Sequence, residues 1–382
     1  MVAQDLSAPA PVAVSEPPPR SPAKPPQARR DPYFDNAKYL TIVLVCCGHA
    51  WEPLTHSGRF ATAAYLVVYA FHMPAFALIS GYFSRSFDMA PGRVRRLLTG
   101  VVVPYLVFEC AYTIFYRWAQ DDWTYPFSLL DPWYVMWFLV ALFIWRLTTP
   151  VWLALRRPVP IAVGLAVFAS VSPDLGGDIS IQRTLQFLPF FVLGLTLRAE
   201  HFERIRTPRV RLTALPVGVA ACGVAYAVAP WFDAKWFYHR SSVASQGVPH
   251  WAGLITTPAL LALALVLTVC FLAWVPRRHM WFTALGAGTM YGYLLHGFII
   301  KSSRFFDWYD RPWLHSPLGE LAVTAAAVGL ITFLCSGPVR AVFRFVVEPR
   351  MAWAFGEPRN APGKATKATA PTEATEAAAP TR

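Results

Sequence analysis

Apolar residues in this chain come in unbroken runs. They do not follow the two-residue alternation of a half-buried strand or the 3.6-residue stripe of a surface helix. A run of about 20 such residues can cross a bilayer as a helix. Ten runs of this kind lie at 38–54, 62–83, 97–116, 133–149, 159–172, 184–198, 213–230, 252–274, 282–300 and 318–339. Three are irregular. The fourth contains Arg146, the fifth is short, and the sixth is broken by Pro189. The pattern predicts an all-α, polytopic transmembrane helix bundle of about ten spans, with the partition of 133–172 left open.

The ends read differently. Residues 1–30 are rich in Pro and Ala, and residues 351–382 are dominated by Ala, Thr, Pro, Lys and Glu. Neither composition can build a core, so both are expected to be disordered tails around a membrane domain at 31–350. The first 30 residues carry no apolar signal-peptide core, so the first span is expected to serve as the targeting signal. No segment between spans is long enough for a separate soluble catalytic domain. Any chemistry is therefore expected among the helices.

Charge gives the orientation. Only 15% of residues are charged, against about 25% in soluble chains. Of the 34 Lys and Arg, 26 fall in one set of alternate segments and 8 in the other. Such a bias marks the basic side as cytoplasmic and predicts an even number of spans, with both termini inside. The net charge of +12 is then explained by topology and by contact with anionic membrane lipid. It does not form a basic stripe on a soluble domain, so no nucleic-acid partner is expected. The six cysteines all lie in apolar runs and none forms a CxxC, so they read as small hydrophobes; no metal is expected.

Ionisable groups at membrane depth are costly and usually mark a working site. The first span holds Asp35, Lys38 and His49. Eleven helical residues turn about 20° past three full turns, so Lys38 and His49 share a stripe about 16 Å long, with Asp35 on the same face. Counted from the basic side at about 1.5 Å per residue, His49 lies near 16 Å, His72 and Glu109 near 18 Å, and His296 near 21 Å. Four titratable side chains on four helices thus converge near the midplane, as a common cavity would require. Each has a plainer reading. His49 or His296 can be a hydrogen-bonded interhelical histidine. His72 can plug the Ala70 carbonyl that Pro74 leaves without a donor. Glu109 can be a structural partner for a His or Arg.

Two local features add to this. Pro53 removes the N–H that would cap the His49 carbonyl, and Glu52 is placed either to orient His49 or to sit at the interface. At the other side, Arg93 and Arg96 lie three residues apart on a helix and face the same way, with Arg95 between them. They can clamp a phosphate or simply anchor the span on the basic side.

These segments together resemble the acyltransferase-3 family of integral membrane O-acyltransferases, in its fucose 4-O-acetylase-like branch. The resemblance covers about residues 31–350. It rests on Lys38-x10-His49 with Asp35 ahead of it, on the Arg93-x-x-Arg96 pair, and on three blocks: Phe71 to Phe83, Trp137 to Phe143, and Tyr293 to Phe298. It implies a multi-pass protein of a bacterial plasma membrane. Such a protein transfers an acyl group, acetyl above all, from acyl-coenzyme A to a hydroxyl of a carbohydrate or another extracytoplasmic or membrane-associated acceptor. The implied roles follow. Arg93, Arg95 and Arg96 take the donor's phosphates, and His49 is the base, because a hydroxyl is a poor nucleophile without one. Lys38, too far from His49 for the same atom, holds a phosphate or the pantetheine end, or pairs with Asp35. Glu109 and His72 support catalysis, and Trp137 and His296 wall the cavity. The competing expectation is a proton-coupled transporter of an amphipathic metabolite or lipid-linked sugar, with the midplane histidines as a relay.

Overall fold

Pro32 opens the first helix, α1 (Pro32–Trp51), at a position where its missing N–H costs nothing, and Asp35 in the first turn suits the positive end of the helix dipole. This is a computed structural model, which describes residues 31–55, 57–173, 175 and 178–355. The two tails expected at 1–30 and 351–382 lie outside these, save 351–355, and so do the chain ends whose sidedness the charge bias predicts. Contacts divide the chain into Met1–Asp31, of which only Asp31 is described, and a unit beginning at Pro32 that holds every helix among the described residues.

After α1 come α2 (Arg59–Ser84), α3 (Pro91–Ala119), α4 (Trp137–Leu147), α5 (Thr149–Ala154), α6 (Pro158–Val171), α7 (Ile181–Thr196), α8 (Ala199–Ile205), α9 (Pro208–Val228), α10 (His250–Trp274), α11 (Thr289–Phe305), α12 (Pro317–Leu334) and α13 (Gly337–Val347). Short 3₁₀ turns join several of them, and no strand occurs among the described residues. The all-α expectation holds. Five helices, α2, α3, α9, α10 and α12, are long and apolar enough to cross a membrane. The expected fourth and fifth spans appear as helices of 11 and 14 residues, α4 and α6. Residues 133–136, read as part of the fourth span, lie ahead of α4 in the connection from α3. The expected ninth span, 282–300, starts later and runs further, to Phe305.

Several prolines are absorbed inside helices: α7 runs unbroken through Pro189, where the sequence suggested a break in the sixth span, and α9 and α10 contain Pro216 and Pro258. α2 continues through Pro74. In α3 the backbone widens into a π turn over Leu98–Val102, just ahead of Pro104, with the Val103 N–H reaching back five residues to the Leu98 carbonyl.

α1 is the central element. It packs against α2, α11, α12 and the turn at 283–288, and Tyr33, Ala37, Ile42 and Cys46 on it are fully buried. Its buried Asn36 donates to the carbonyls of Pro276 (2.9 Å) and Arg278 (3.0 Å) and accepts from Thr283 Oγ1 at 2.7 Å. Every polar atom of that amide's reach is used, so the start of α1 is fixed to the α10–α11 connection. α2 and α7 form the most extensive helix pair. Gly81 and Gly194 meet backbone to backbone there: a Cβ on Gly81 would run into the Phe191 carbonyl, and one on Gly194 into that of Leu78. Close approach through small residues is how membrane helices gain packing energy where lipid offers no hydrophobic drive.

Candidate active site

The centre forms where the end of α1 meets α2 and α11. Gly48 leaves room for Tyr69, whose ring edge would lie 3.0 Å from a Cβ at that position. Tyr69 Oη is 3.1 Å from His49 Nδ1. The imidazole of His296 lies 5.6 Å from that of His49 between ring centroids, tilted by 31°. His49 is half-buried and has no hydrogen bond at Nε2 among the described residues, whereas His296 is fully enclosed.

The break at Pro53 has a specific occupant. Arg304 donates to the His49 carbonyl at 2.9 Å and to Glu52 Oε2 at 2.8 Å. Glu52 therefore holds the arginine, not the imidazole. Arg304 and Lys301 fall in an expected outer loop, but α11 extends through both. The apolar run ends at Lys301, but the helix does not end there, because Arg304 finds a carbonyl and a carboxylate.

Carbonyls only accept, so their neighbours fix two tautomers. His296 Nδ1 lies 3.0 Å from the Gly292 carbonyl and 2.8 Å from that of Tyr293. It must carry the hydrogen, which leaves the lone pair on Nε2, a buried atom without a partner among the described residues. His72 Nδ1 likewise donates to the Val68 carbonyl at 2.8 Å. The expected plug of the Ala70 carbonyl is not what His72 does. Its ring instead packs edge-on against Tyr69, 4.8 Å between centroids.

Glu109 touches none of the histidines. Its carboxylate accepts the Trp133 N–H at 3.0 and 3.1 Å, and Trp133 stacks on Tyr112 at 5.1 Å. That fixes the loop before α4, whose next residue, Tyr134, lays its ring 5.0 Å from the His49 ring. Lys301 Nζ covers the other ring contact, 4.3 Å from the Tyr134 centroid. Glu109 thus reaches the centre through a backbone segment.

Toward α4 and α7 an aromatic wall leads away from His49. Tyr69 stacks on Tyr65 at 4.1 Å, and Tyr65 Oη shares a hydrogen with Tyr238 Oη at 2.5 Å. Arg183 donates to the Tyr238 carbonyl at 3.2 Å and lies 5.0 Å over the Trp137 ring, which stacks on Phe187. In the loop after α9, His239 bonds Gln186 Oε1 at 2.8 Å. Burial, and then the Arg183 charge, push the His239 pKa down to about 4.

The second part of the site lies at the other end of α1. Lys38 pairs with Asp35 at 2.7 Å and its ammonium is 5.4 Å from the Phe83 ring centroid. Phe83 forms one edge of a cleft of about 370 Å³ with Ser84, Phe87, Arg93, Arg96 and Arg146. Arg146 from α4 donates to Ser84 Oγ at 3.2 Å, and Asp88 pairs with Arg93 at 3.4 Å. The cleft thus presents three guanidiniums against one carboxylate. Arg95 does not join them. It donates to the Arg350 carbonyl at 3.2 Å and lies over Phe355.

The structure thus gathers His49, His72 and His296 in one place, sets Lys38, Asp35, Arg93 and Arg96 at another, and leaves Glu109 and Trp137 in the walls. Tyr69, Tyr134, Lys301 and Arg304 were not singled out from the sequence, and Arg146 was noted only as an irregularity of the fourth run. An arginine inside an apolar run was a usable signal for Arg146. Compared with known families, residues 31–336 match one family model, described as an acyltransferase domain. No curated protein and no solved structure matches the chain.

Proposed function

The chain belongs to the acyltransferase-3 family, and on that footing, a membrane acyltransferase, we propose that it moves an acyl group, acetyl by preference, from acyl-coenzyme A to a hydroxyl of a carbohydrate. The observation that carries the reading is the division of α1. Its Lys38 turn borders a cleft with three arginines, and its His49 turn holds a pair of imidazoles, about 16 Å further along the helix. Acyl-coenzyme A has the same layout: a polyanionic nucleotide at one end, a flexible pantetheine arm, and a thioester at the other.

In this reading Arg93, Arg96 and Arg146 bind the phosphates, and Lys38, already neutralised by Asp35, flanks the arm. His49 with Nδ1–H donating to Tyr69 Oη presents Nε2 as the base for the acceptor hydroxyl. Arg304 fixes the backbone of that residue. The aromatic wall from Tyr69 to Trp137, with the polar edge of Arg183, Tyr238 and Gln186, suits a sugar ring: flat apolar faces to stack on and hydrogen-bonding groups at the rim. The donor is proposed to enter from the cytoplasm, with both chain ends on that side and the acceptor reached from the opposite one.

Purified protein incubated with labelled acetyl-coenzyme A and a panel of sugars should release free coenzyme A and yield an acylated sugar. An inert donor, with substrate movement in proteoliposomes driven by a proton gradient, would instead support the transporter. Extracts of a deletion strain and its parent, compared for a mass difference of one acyl group, would identify the acceptor. Cysteine labelling at Gln4, Ser245 and Thr381 tests sidedness: only Ser245 should label without permeabilisation.

A further inference from the structure

Attack on a thioester carbonyl puts negative charge on its oxygen, and that charge needs a hydrogen-bond donor fixed in advance. The polar groups around His49 differ in whether they have a hydrogen free to give at the reacting side. Tyr69 Oη accepts the His49 Nδ1 hydrogen and so sits on the ring edge away from Nε2, the atom offered to the acceptor hydroxyl. The His296 Nδ1 hydrogen is held by two carbonyls, and its Nε2 has none. Arg304 uses its Nη2 for the His49 carbonyl and Glu52, which fixes the guanidinium on the backbone side of His49; its Nε–H is buried and without a partner among the described residues. Lys301 lies against the Tyr134 ring face. The Tyr134 hydroxyl is buried and without a partner among the described residues.

Tyr134 is also held where a tyrosine does not settle by itself. Its φ is 51°, in the left-handed region that aromatic side chains rarely adopt. An enclosed hydroxyl that bonds to nothing is a second cost in the same residue. Both persist because the flanking chain is fixed: Glu109 takes the Trp133 N–H, Trp133 stacks on Tyr112, and the Trp133 carbonyl accepts the Met136 N–H at 3.0 Å. Strained backbone and an unused donor together, in a residue whose ring centroid lies 5.0 Å from that of the candidate base, are the marks of a prearranged site.

We propose that Tyr134 is the oxyanion donor of acyl transfer, an assignment that rests on the acyltransferase reading above. As the acceptor oxygen bonds to the thioester carbon, its proton passes to His49 and the carbonyl π pair moves onto oxygen, where the Tyr134 O–H donates. The pair then returns, the carbon–sulfur bond breaks, and coenzyme A leaves as a thiolate that takes the proton back from His49. Ester and free thiol are the products, and Tyr134 ends as it began.

The test is Tyr134→Phe in the full-length protein, which keeps the ring against His49 and Lys301. Acyl transfer should fall about 10²–10³-fold, the usual loss for one oxyanion donor. Donor affinity and thermal midpoint should be unchanged or, for the midpoint, raised. Transfer within a few-fold of wild type would overturn the assignment while leaving the acyltransferase reading intact. A wild-type protein that never transfers acyl from acetyl-coenzyme A would remove both. If the Phe variant does not fold, difluorotyrosine at 134 decides, because its phenol is more acidic. The charged groups facing the ring are Lys301 and Arg304 from α11 and Glu52 after α1, and all are kept. The alkaline limb of the rate profile should therefore move to lower pH; a limb that stays put would overturn the proposal.

Discussion

The two ends of α1 are built on opposite plans. Around His49 the groups are enclosed and held by backbone atoms: carbonyls fix two imidazole tautomers, a guanidinium caps the carbonyl freed by Pro53, and a carboxylate fixes the Tyr134 loop through a main-chain N–H. Around Lys38 the groups are long, partly exposed and mutually repelling, with Arg93 keeping about a third of its side-chain surface open. The first plan suits a reaction, where a group must be in place before the substrate arrives. The second suits a large anion, which is attracted by charge and tolerates side chains that adjust. If the proposed roles hold, the histidine centre and the arginine cleft should therefore fail in different ways.

The largest effect is expected at the enclosed end. His49→Ala should lower the acyl-transfer step by roughly 10²–10⁴-fold, with thermal stability and donor affinity retained. His49→Gln keeps a hydrogen-bonding amide but no base, and should fail almost as badly. Wild-type turnover in a well-folded Gln variant would move the base to His296, whose Nε2 lone pair is free.

At the open end the loss should appear in binding. Changing Arg93 and Arg96 together to Gln should weaken donor affinity, at roughly 1.5–3 kcal/mol per charged contact, while the rate at saturation survives. Arg95→Gln is the contrast, because that guanidinium bonds Arg350 outside the cleft; isothermal titration should show it unchanged. Equal losses for all three arginines would mean that they act only as a general basic surface.

His72→Gln should have a smaller effect, well under tenfold on transfer. The ring supports Tyr69 from the side and its Nδ1 is occupied by Val68. A loss equal to that of His49→Ala would make His72 part of the proton path.

The smallest expected effect lies in the wall. His239 has a folded pKa of about 4, below its ordinary value of 6.5. The unfolded chain therefore takes up more protons between those values, and stability should fall as pH drops from about 6.5 toward 4. Thermal midpoints measured across that range should show a shallower slope in His239→Gln than in wild type. Identical slopes would mean the ring is protonated without cost.

The parts legible in the sequence were those encoded along a single helix or by depth. Lys38, Asp35 and His49 share a stripe because helical geometry is fixed, and the histidines of α2 and α11 meet His49 because charge at membrane depth has few tolerable places. Pro53 correctly marked a backbone break but could not say that a residue 251 positions later would fill it. Tyr69 and Tyr134 were hidden by number: in a chain with 15 Tyr, 15 Trp and 27 Phe, two aromatics do not stand out. Apolarity also misjudged where helices end. Lys301 and Arg304 look like loop residues until their partners are known, and residues 133–136 look like helix although they form the connection that carries Tyr134. Glu109 was found, but its partner is a main-chain N–H, which no side-chain pattern encodes.

The contact between Gly81 and Gly194 bears on which parts of the protein can move. α2 carries Tyr69 and His72, and α7 carries Arg183 and Gln186 near the aromatic wall. With their backbones in direct contact, the two helices cannot slide or rotate against each other without a collision of main-chain atoms. Wall and imidazole support therefore travel as one body. Any opening toward the centre has to come from elements outside this pair, and α9, the least buried of the five membrane-length helices, packs against α2. A bulky residue at either glycine would disturb the aromatic wall and the imidazole support together, leaving the distant arginine cleft in place.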